Sequence, residues 1–126
     1  MLADWLTEAE ISFVKGTSPG LYRMKLAGET GDHELVLIDH PAGVTISIYR
    51  FAEGLPPPER LRELLELSDQ LTTFRIGASE DGHVCISGTW PSAHLTSDSL
   101  RYLLFELVAH VDTLGGEIRG IIGTSR

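Results

Sequence analysis

The sequence predicts an α+β protein in which helices cover one face of a single antiparallel sheet. Five short segments alternate apolar and polar residues, or are apolar between turn residues, as strands do. Three other segments repeat apolar residues every three or four positions, which is typical of amphipathic helices. Their order along the chain is α-βββ-α-ββ-α. The 126 residues fit one domain, so we expect residues 1–126 to form a single unit, with 117–126 left open as a tail or a late edge strand.

The first half of the chain is predicted to be a short helix followed by a three-stranded meander. Apolar residues at helical spacing share one face of the first helix, which should end by Gly16. These residues are Leu2, Trp5, Leu6, Ala9 and Phe13. The strands are expected around Tyr22–Leu26, Leu35–Ile38 and Val44–Ile48, separated by turn residues such as Gly28–Asp32 and Asp39–Gly43.

The second half is predicted to be helix, hairpin and helix. Because proline is tolerated only in the first turn of a helix, the central helix can begin only near Pro58. Its expected apolar face comprises Leu61, Leu64, Leu65, Ser68 and Leu71. Strands at Phe74–Ala78 and Val84–Trp90 flank Asp81-Gly82, a strong hairpin signal. The last helix should begin at Thr96 or Ser97 and stop at Gly115-Gly116.

The charge balance argues against a polyanionic partner. The net charge is −8, so the field of the protein would repel nucleic acid, and no direct nucleic-acid binding is expected. No apolar segment approaches the length of a membrane span, and acidic residues interrupt the N-terminal apolar run, which predicts a cytoplasmic protein without membrane contact. The single Cys85 fits a reducing compartment.

The order of elements resembles the type III secretion chaperone-like superfamily and, within it, the YbjN family of small acidic bacterial proteins. The resemblance covers most of the chain and is carried mainly by the second half. Its segments are Leu61 to Leu71, Phe74-Arg75-Ile76-Gly77, Glu80-Asp81-Gly82-His83-Val84 and Leu95 to Leu114. The resemblance implies a homodimer without catalytic activity or cofactor that binds a client or partner polypeptide, in a stress or signalling response.

Two candidate surfaces follow. A client groove is predicted around the first helix and first strands, because a tryptophan on a short terminal helix can act as an anchor, although core packing is the more common role of such residues. Its residues are Leu2, Trp5, Leu6, Tyr22 and Met24. A dimer interface is predicted on the central and last helices, where apolar residues fall outside the core stripes. Its residues are Arg60, Glu63, Leu67, Tyr102 and Phe105.

Two other functions remain open from the residues alone. A small apolar pocket lined by Met24, Phe74 and Trp90 would make the protein a ligand sensor. Histidines beside acids, at Asp32-His33-Glu34, Asp39-His40 and Asp81-Gly82-His83, could supply acid–base groups. All three clusters fall at predicted turns, and no zinc, phosphate-loop or nucleophile-elbow motif is present, so we expect no catalytic site and no metal.

Overall fold

The computed structural model describes residues 2–52, 55–78 and 82–122, and the side chains of residues 49–52 are not described. Six strands form one antiparallel sheet in the order β1-β2-β3-β4-β6-β5. Their bounds are β1 Val14–Lys15, β2 Leu21–Gly28, β3 Gly31–His40, β4 Gly43–Ala52, β5 Arg75–Ala78 and β6 Val84–Trp90. The helices are α1 Leu2–Glu8, α2 Leu61–Ser68 and α3 Ser97–Ile122, with single 3-10 turns at Pro58–Arg60 and Ser92–His94.

The predicted α+β class is confirmed, with α3 packed on one face of the sheet and α1 packed against α3. Alternate residues of the meander point into this face, as the period of a strand requires. The buried ones are Met24, Leu35, Leu37, Val44, Ile46 and Ile48. The opposite face carries polar and small residues, including Thr45 and Thr89, whose hydroxyls lie 2.8 Å apart. The hairpin residue Asp81 lies outside the described part of the chain, whereas Gly82 follows it with φ +83°.

The first helix is shorter than the apolar spacing predicted. It ends at Glu8, because Glu10 adopts a left-handed conformation with φ 61°. The Ile11 amide donates to the Leu6 carbonyl and the Glu10 amide to Thr7, which is the Schellman pattern that ends a helix. Phe13 therefore lies beyond the helix, and the next two residues form β1, a sixth strand that the sequence pattern did not reveal.

The two other helices also differ from expectation. In α2 the buried leucines are Leu64 and Leu67, whereas Leu61 and Leu65 are 48% and 57% exposed, so the predicted apolar face is wrong by part of a turn. The last helix does not stop at Gly115-Gly116 but continues to Ile122, because Ile118, Ile121 and Ile122 extend the buried stripe. Residues 117–122 are thus helical, and 123–126 lie outside the described residues.

Candidate functional site

An open groove of about 440 Å³ lies where β1 ends and β2 continues. Strand β1 contributes only two residues to the sheet, pairing Val14 with Arg23 and Lys15 with Tyr22. On the N-terminal side of β1 the chain leaves the sheet edge, and the gap between the two segments is the groove. Its lining residues are Ser12, Phe13, Val14, Arg23, Met24, Lys25 and Glu34.

The edge of β2 beside this groove is open. The Gly16 amide donates to the Leu21 carbonyl across the β1 side, so odd-numbered residues of β2 direct their backbone groups toward that edge. Lys25 and Ala27 therefore present N–H and C=O groups that no strand in residues 2–52, 55–78 and 82–122 pairs with. Such groups are a template for another extended chain.

The groove also carries apolar surface and positive charge. Val14 is 70% exposed, and Phe13 packs its ring edge-on to Tyr22 at 5.5 Å between centroids. Both lysines of the chain lie at this edge, Lys15 in β1 and Lys25 in β2. Arg23 lies between them and is bonded to Glu34 of β3. In a protein of net charge −8, this edge carries three of the ten Lys and Arg residues, of which Arg23 is paired with Glu34.

The predicted client residues are mostly part of the core. Leu2, Leu6 and Met24 are at most 3% exposed, and Trp5 and Tyr22 are half-buried against the same core. Of these five, only Met24 lines the groove, so α1 does not offer the contact surface that its spacing suggested. The residues that sequence reasoning missed are Val14 and Lys25. The sequence feature that could have revealed them is that the only two lysines of the chain, Lys15 and Lys25, both lie near a short apolar segment close to the N-terminus.

The opposite edge of the sheet, formed by β5, is covered. Helix α2 packs beside β5, and the Ser68 hydroxyl accepts a hydrogen bond of 3.1 Å from the Ile76 amide. Ser68 is accordingly buried. This side-chain bond occupies a backbone donor that would otherwise point outward from the edge strand.

The predicted dimer residues fall in two separate places. Arg60 donates to both carboxylate oxygens of Glu63, at 2.7 and 3.0 Å, and to the Gly120 carbonyl at 2.9 Å, which ties α2 to the end of α3. Leu67 is 5% exposed and belongs to the core, so it is not the exposed contact that its position off the expected face suggested. Tyr102 and Phe105 do face solvent, near the other end of α3.

A half-buried carboxylate, that of Asp112, fixes α3 to the β2–β3 turn. Asp112 accepts hydrogen bonds from the Glu29 amide at 2.8 Å and from the Thr30 hydroxyl at 2.6 Å, and its Oδ1 lies 2.8 Å from His33 Nε2. These bonds, led by those from Thr30 and His33, hold the pKa of Asp112 well below its usual range. Gly28 permits the close approach, since a Cβ there would lie 2.6 Å from Asp112 Oδ2.

This carboxylate predicts a specific acid sensitivity. A carboxyl whose folded pKa is depressed stabilises the fold above its unfolded pKa and loses that contribution as pH falls below it. We expect the free energy of unfolding to decrease as pH falls below the ordinary value of 3.8, and to decrease less steeply in Asp112→Asn. Urea denaturation between about pH 6 and pH 3 measures this. Asp69→Asn, at an exposed position, is the control and should keep the wild-type pH dependence.

The histidines do not converge on one site. His33 and His40 lie seven residues apart on β3, about 23 Å at the rise of a strand. The His40 ring nitrogen lies 2.9 Å from the Thr45 hydroxyl, and His110 lies 3.5 Å from Glu106. Within the described residues, no three His, Cys, Asp or Glu side chains are arranged to hold a metal ion. Burial raises the pKa of the Cys85 thiol, which disfavours the reactive thiolate.

Two of the three residues proposed to line a small-molecule pocket, Phe74 and Trp90, pack against each other. Phe74 is fully buried and contacts Trp90 edge-on, with 5.2 Å between ring centroids. Its other neighbour is the His110 ring, at 6.2 Å. Met24 is also buried. These side chains fill the core between the sheet and α3.

Comparison with known proteins supports the fold. No protein-family model and no curated protein matches the sequence, and no helix in the described residues is long and apolar enough to cross a membrane. In structure, the chain is similar to the crystal structure of YbjN, a candidate transcription regulator from E. coli. The TM-score is 0.55 over 96% of this chain and 85% of that chain, at 10% identity. The chain therefore has the fold of YbjN, as the order of its elements predicted.

Proposed function

We propose that this protein binds another polypeptide by accepting an extended, acidic segment along the open edge of β2. The observation that carries the proposal is the groove beside β1, which combines unpaired backbone groups, exposed apolar surface and basic side chains. A segment that adds to a sheet edge gains main-chain hydrogen bonds, and the groove beside it selects side chains. The four residues Lys25–Gly28 span about 13 Å of edge, enough for a short strand.

The chemistry of the edge favours a particular kind of partner. Lys15 and Lys25 would attract carboxylates, while Val14 and Phe13 would contact apolar side chains. A segment that alternates apolar and acidic residues satisfies both requirements, because successive side chains of a strand point to opposite sides. The acidic remainder of the protein would repel nucleic acid, so any regulatory role is proposed to act through protein contacts.

We further propose that the protein acts without catalysing a reaction, in the cytoplasm, as a member of the YbjN family. The separation of the histidine clusters supports a function without catalysis, because acid–base catalysis needs groups within hydrogen-bond reach of one substrate. The description of YbjN as a candidate transcription regulator is compatible with a regulatory role for a protein of this fold.

Binding of a labelled peptide of alternating valine and glutamate tests the proposal. We expect the peptide to bind the wild type and to slow amide hydrogen exchange at Lys25 and Ala27, whose N–H groups face the open edge. The amides of Met24 and Leu26 face β3 and should exchange as before. Fluorescence anisotropy gives the affinity, and NMR gives the exchange rates.

The matched variants are Ala27→Pro and Ala27→Val. Proline removes the N–H at the open edge and keeps the β2–β3 bonds, so affinity should fall at least about tenfold. Valine keeps the N–H at the same exposed position and should bind as the wild type does. Lys25→Glu should also weaken binding, and more so at low salt. No binding by the wild type, or equal affinity for Ala27→Pro, would refute the proposal.

A further inference from the structure

Strand β1 is two residues long, although the chain that precedes it has the pattern of a longer strand. Residues 10–13 read Glu-Ile-Ser-Phe, so polar and apolar side chains alternate. Such alternation is typical of a strand with one buried face. In the structure these residues form no strand, and the groove beside β1 lies between them and β2. The groove is therefore a gap between two segments whose sequences both fit a strand.

The existing pairing of β1 with β2 fixes which residues would meet if β1 continued toward the N-terminus. In the same register, Ser12 lies opposite Lys25 and Glu10 lies opposite Ala27. Lys25 and Ala27 are the residues whose backbone groups are unpaired at the open edge. An extended β1 thus supplies these groups with hydrogen-bond partners from the chain itself.

The apolar side chains of the segment match the core face of β2 in this register. Residues directly opposite each other in an antiparallel pair point to the same face. Ile11 lies opposite Leu26, and Phe13 lies opposite Met24. Both partners belong to the core or pack against it, and so do Ile11 and Phe13 in the observed structure. The extension therefore keeps the apolar residues of the segment on the core side.

The polar side chains of the segment match the outer face of β2. Ser12 and Glu10 are exposed in the structure, as are Lys25 and Ala27. In the extended strand, Glu10 is a diagonal neighbour of Lys25, a separation that long side chains can span. An acidic residue among alternating apolar ones is also the pattern that the proposed function assigns to the partner. The segment thus has the chemistry of the proposed partner.

The backbone at Glu10 directs the chain away from β2. Among the residues that the structure describes, Glu10 is the one residue other than glycine with a positive φ, 61°. This left-handed conformation is unfavourable for a residue with a Cβ. It allows the Ile11 amide to donate to the Leu6 carbonyl at the end of α1. Extending β1 breaks this bond, but it relieves the strain at Glu10 and adds bonds to β2, so the two arrangements have compensating contributions.

We propose that residues 10–13 interconvert between the observed arrangement, in which the edge of β2 is open, and one in which they extend β1 and close that edge. The chain's own N-terminal segment then competes with the partner. This inference rests on the proposed function for its consequence, because it names what regulates the same edge. Apparent affinity for the partner falls in proportion to the fraction of molecules whose edge is open.

A disulfide between residues 12 and 25 tests whether the extended arrangement forms. Ser12→Cys and Lys25→Cys are combined in a Cys85→Ser background. Directly opposite residues of antiparallel strands have Cα atoms about 5.5 Å apart at most, within the range that a disulfide bridges. The control combines Ser12→Cys with Ala27→Cys, which are diagonal neighbours about 7–8 Å apart. The first pair should cross-link in a glutathione redox buffer, and the control should do so far more slowly.

Substitutions at Glu10 test whether the conformation of this residue sets the balance. Glycine adopts the left-handed conformation without strain, whereas threonine disfavours it and favours strands. Both remove the carboxylate, so they differ in backbone preference and not in charge. In the background of the first cysteine pair, Glu10→Thr should cross-link on the order of tenfold faster than Glu10→Gly, because the rate follows the population of the extended arrangement. Cross-linking directly from the observed arrangement would give equal rates.

The cross-linked protein also tests the competition. Its affinity for the valine–glutamate peptide should be at least about tenfold lower than that of the same variant in its reduced form, which lacks the same lysine. No cross-linking, equal rates for the two cysteine pairs, equal rates for Glu10→Gly and Glu10→Thr, or equal affinity of the two redox forms would each overturn the inference. The cross-linking rates need no peptide. A wild type that does not bind the peptide would therefore refute the proposed function and leave the extension of β1 to be judged on these rates.

Discussion

Replacing Phe74 with alanine is expected to lower the free energy of unfolding by about 3–5 kcal/mol, the range for an aromatic side chain removed from a packed core. Phe74 lies between α2 and β5 along the chain, and its side chain is fully buried. Its ring contacts Trp90 of β6 and His110 of α3. It thus joins the second half of the sheet to the last helix. Urea denaturation followed by circular dichroism measures the change.

The control for this prediction is Leu65→Ala in α2. Leu65 is 57% exposed, so its truncation should change stability by no more than about 0.5 kcal/mol. If Phe74→Ala cost as little as this control, Phe74 would not be part of the core. The same variant bears on the small-molecule hypothesis, since truncating Phe74 opens a cavity in the site that the hypothesis assigned to a ligand.

The parts of the fold that local pattern determines were predicted correctly. Alternation in Val44, Ile46 and Ile48 marks a strand with one buried face, and these three side chains are buried. The last helix was predictable because its apolar stripe is long and regular. The resemblance in element order led to the right fold even though the sequence is 10% identical to that of YbjN.

The errors occur where tertiary contacts choose between local patterns that fit equally well. In α2, the sets beginning at Leu61 and at Leu64 both have helical spacing. Tertiary packing selects the second, in which Leu67 is buried while Leu61 and Leu65 stay exposed. In α3, a glycine pair was taken as a stop. Gly115 is buried against the core, and Ile118 continues the apolar stripe, so burial overrides the low helix propensity of glycine.

The groove could not be predicted from the sequence, because it depends on where the segment that precedes β1 leaves the edge of β2. The sequence contains Glu10 where a glycine usually marks the end of a helix, and this residue gives no warning that α1 stops early. As a result, β1 was hidden inside the predicted helix. The sequence does not show that Lys15 and Lys25 lie at the same edge, because their proximity depends on the pairing of β1 with β2.

Gly43→Ala is the second substitution expected to have a large effect, with a loss of roughly 3 kcal/mol or more of unfolding free energy. Gly43 begins β4 after the turn at Pro41–Ala42 and has φ +138°, a conformation that costs any other residue strain. A Cβ there would also lie 2.2 Å from the Trp90 carbonyl oxygen. Because that oxygen belongs to the backbone of β6, the clash can be relieved only by moving a central strand.

Gly31→Ala separates the two causes. Gly31 begins β3 with a similar φ of +131°, but a Cβ at this position would meet nothing within 4 Å. Its substitution should therefore cost only the backbone strain, about 1–3 kcal/mol. Thermal and urea denaturation of both variants give the difference. Gly43→Ala must be the less stable of the two, since it alone forces β4 away from β6. Equal losses would mean that the sheet yields at this contact and that strain accounts for the whole effect.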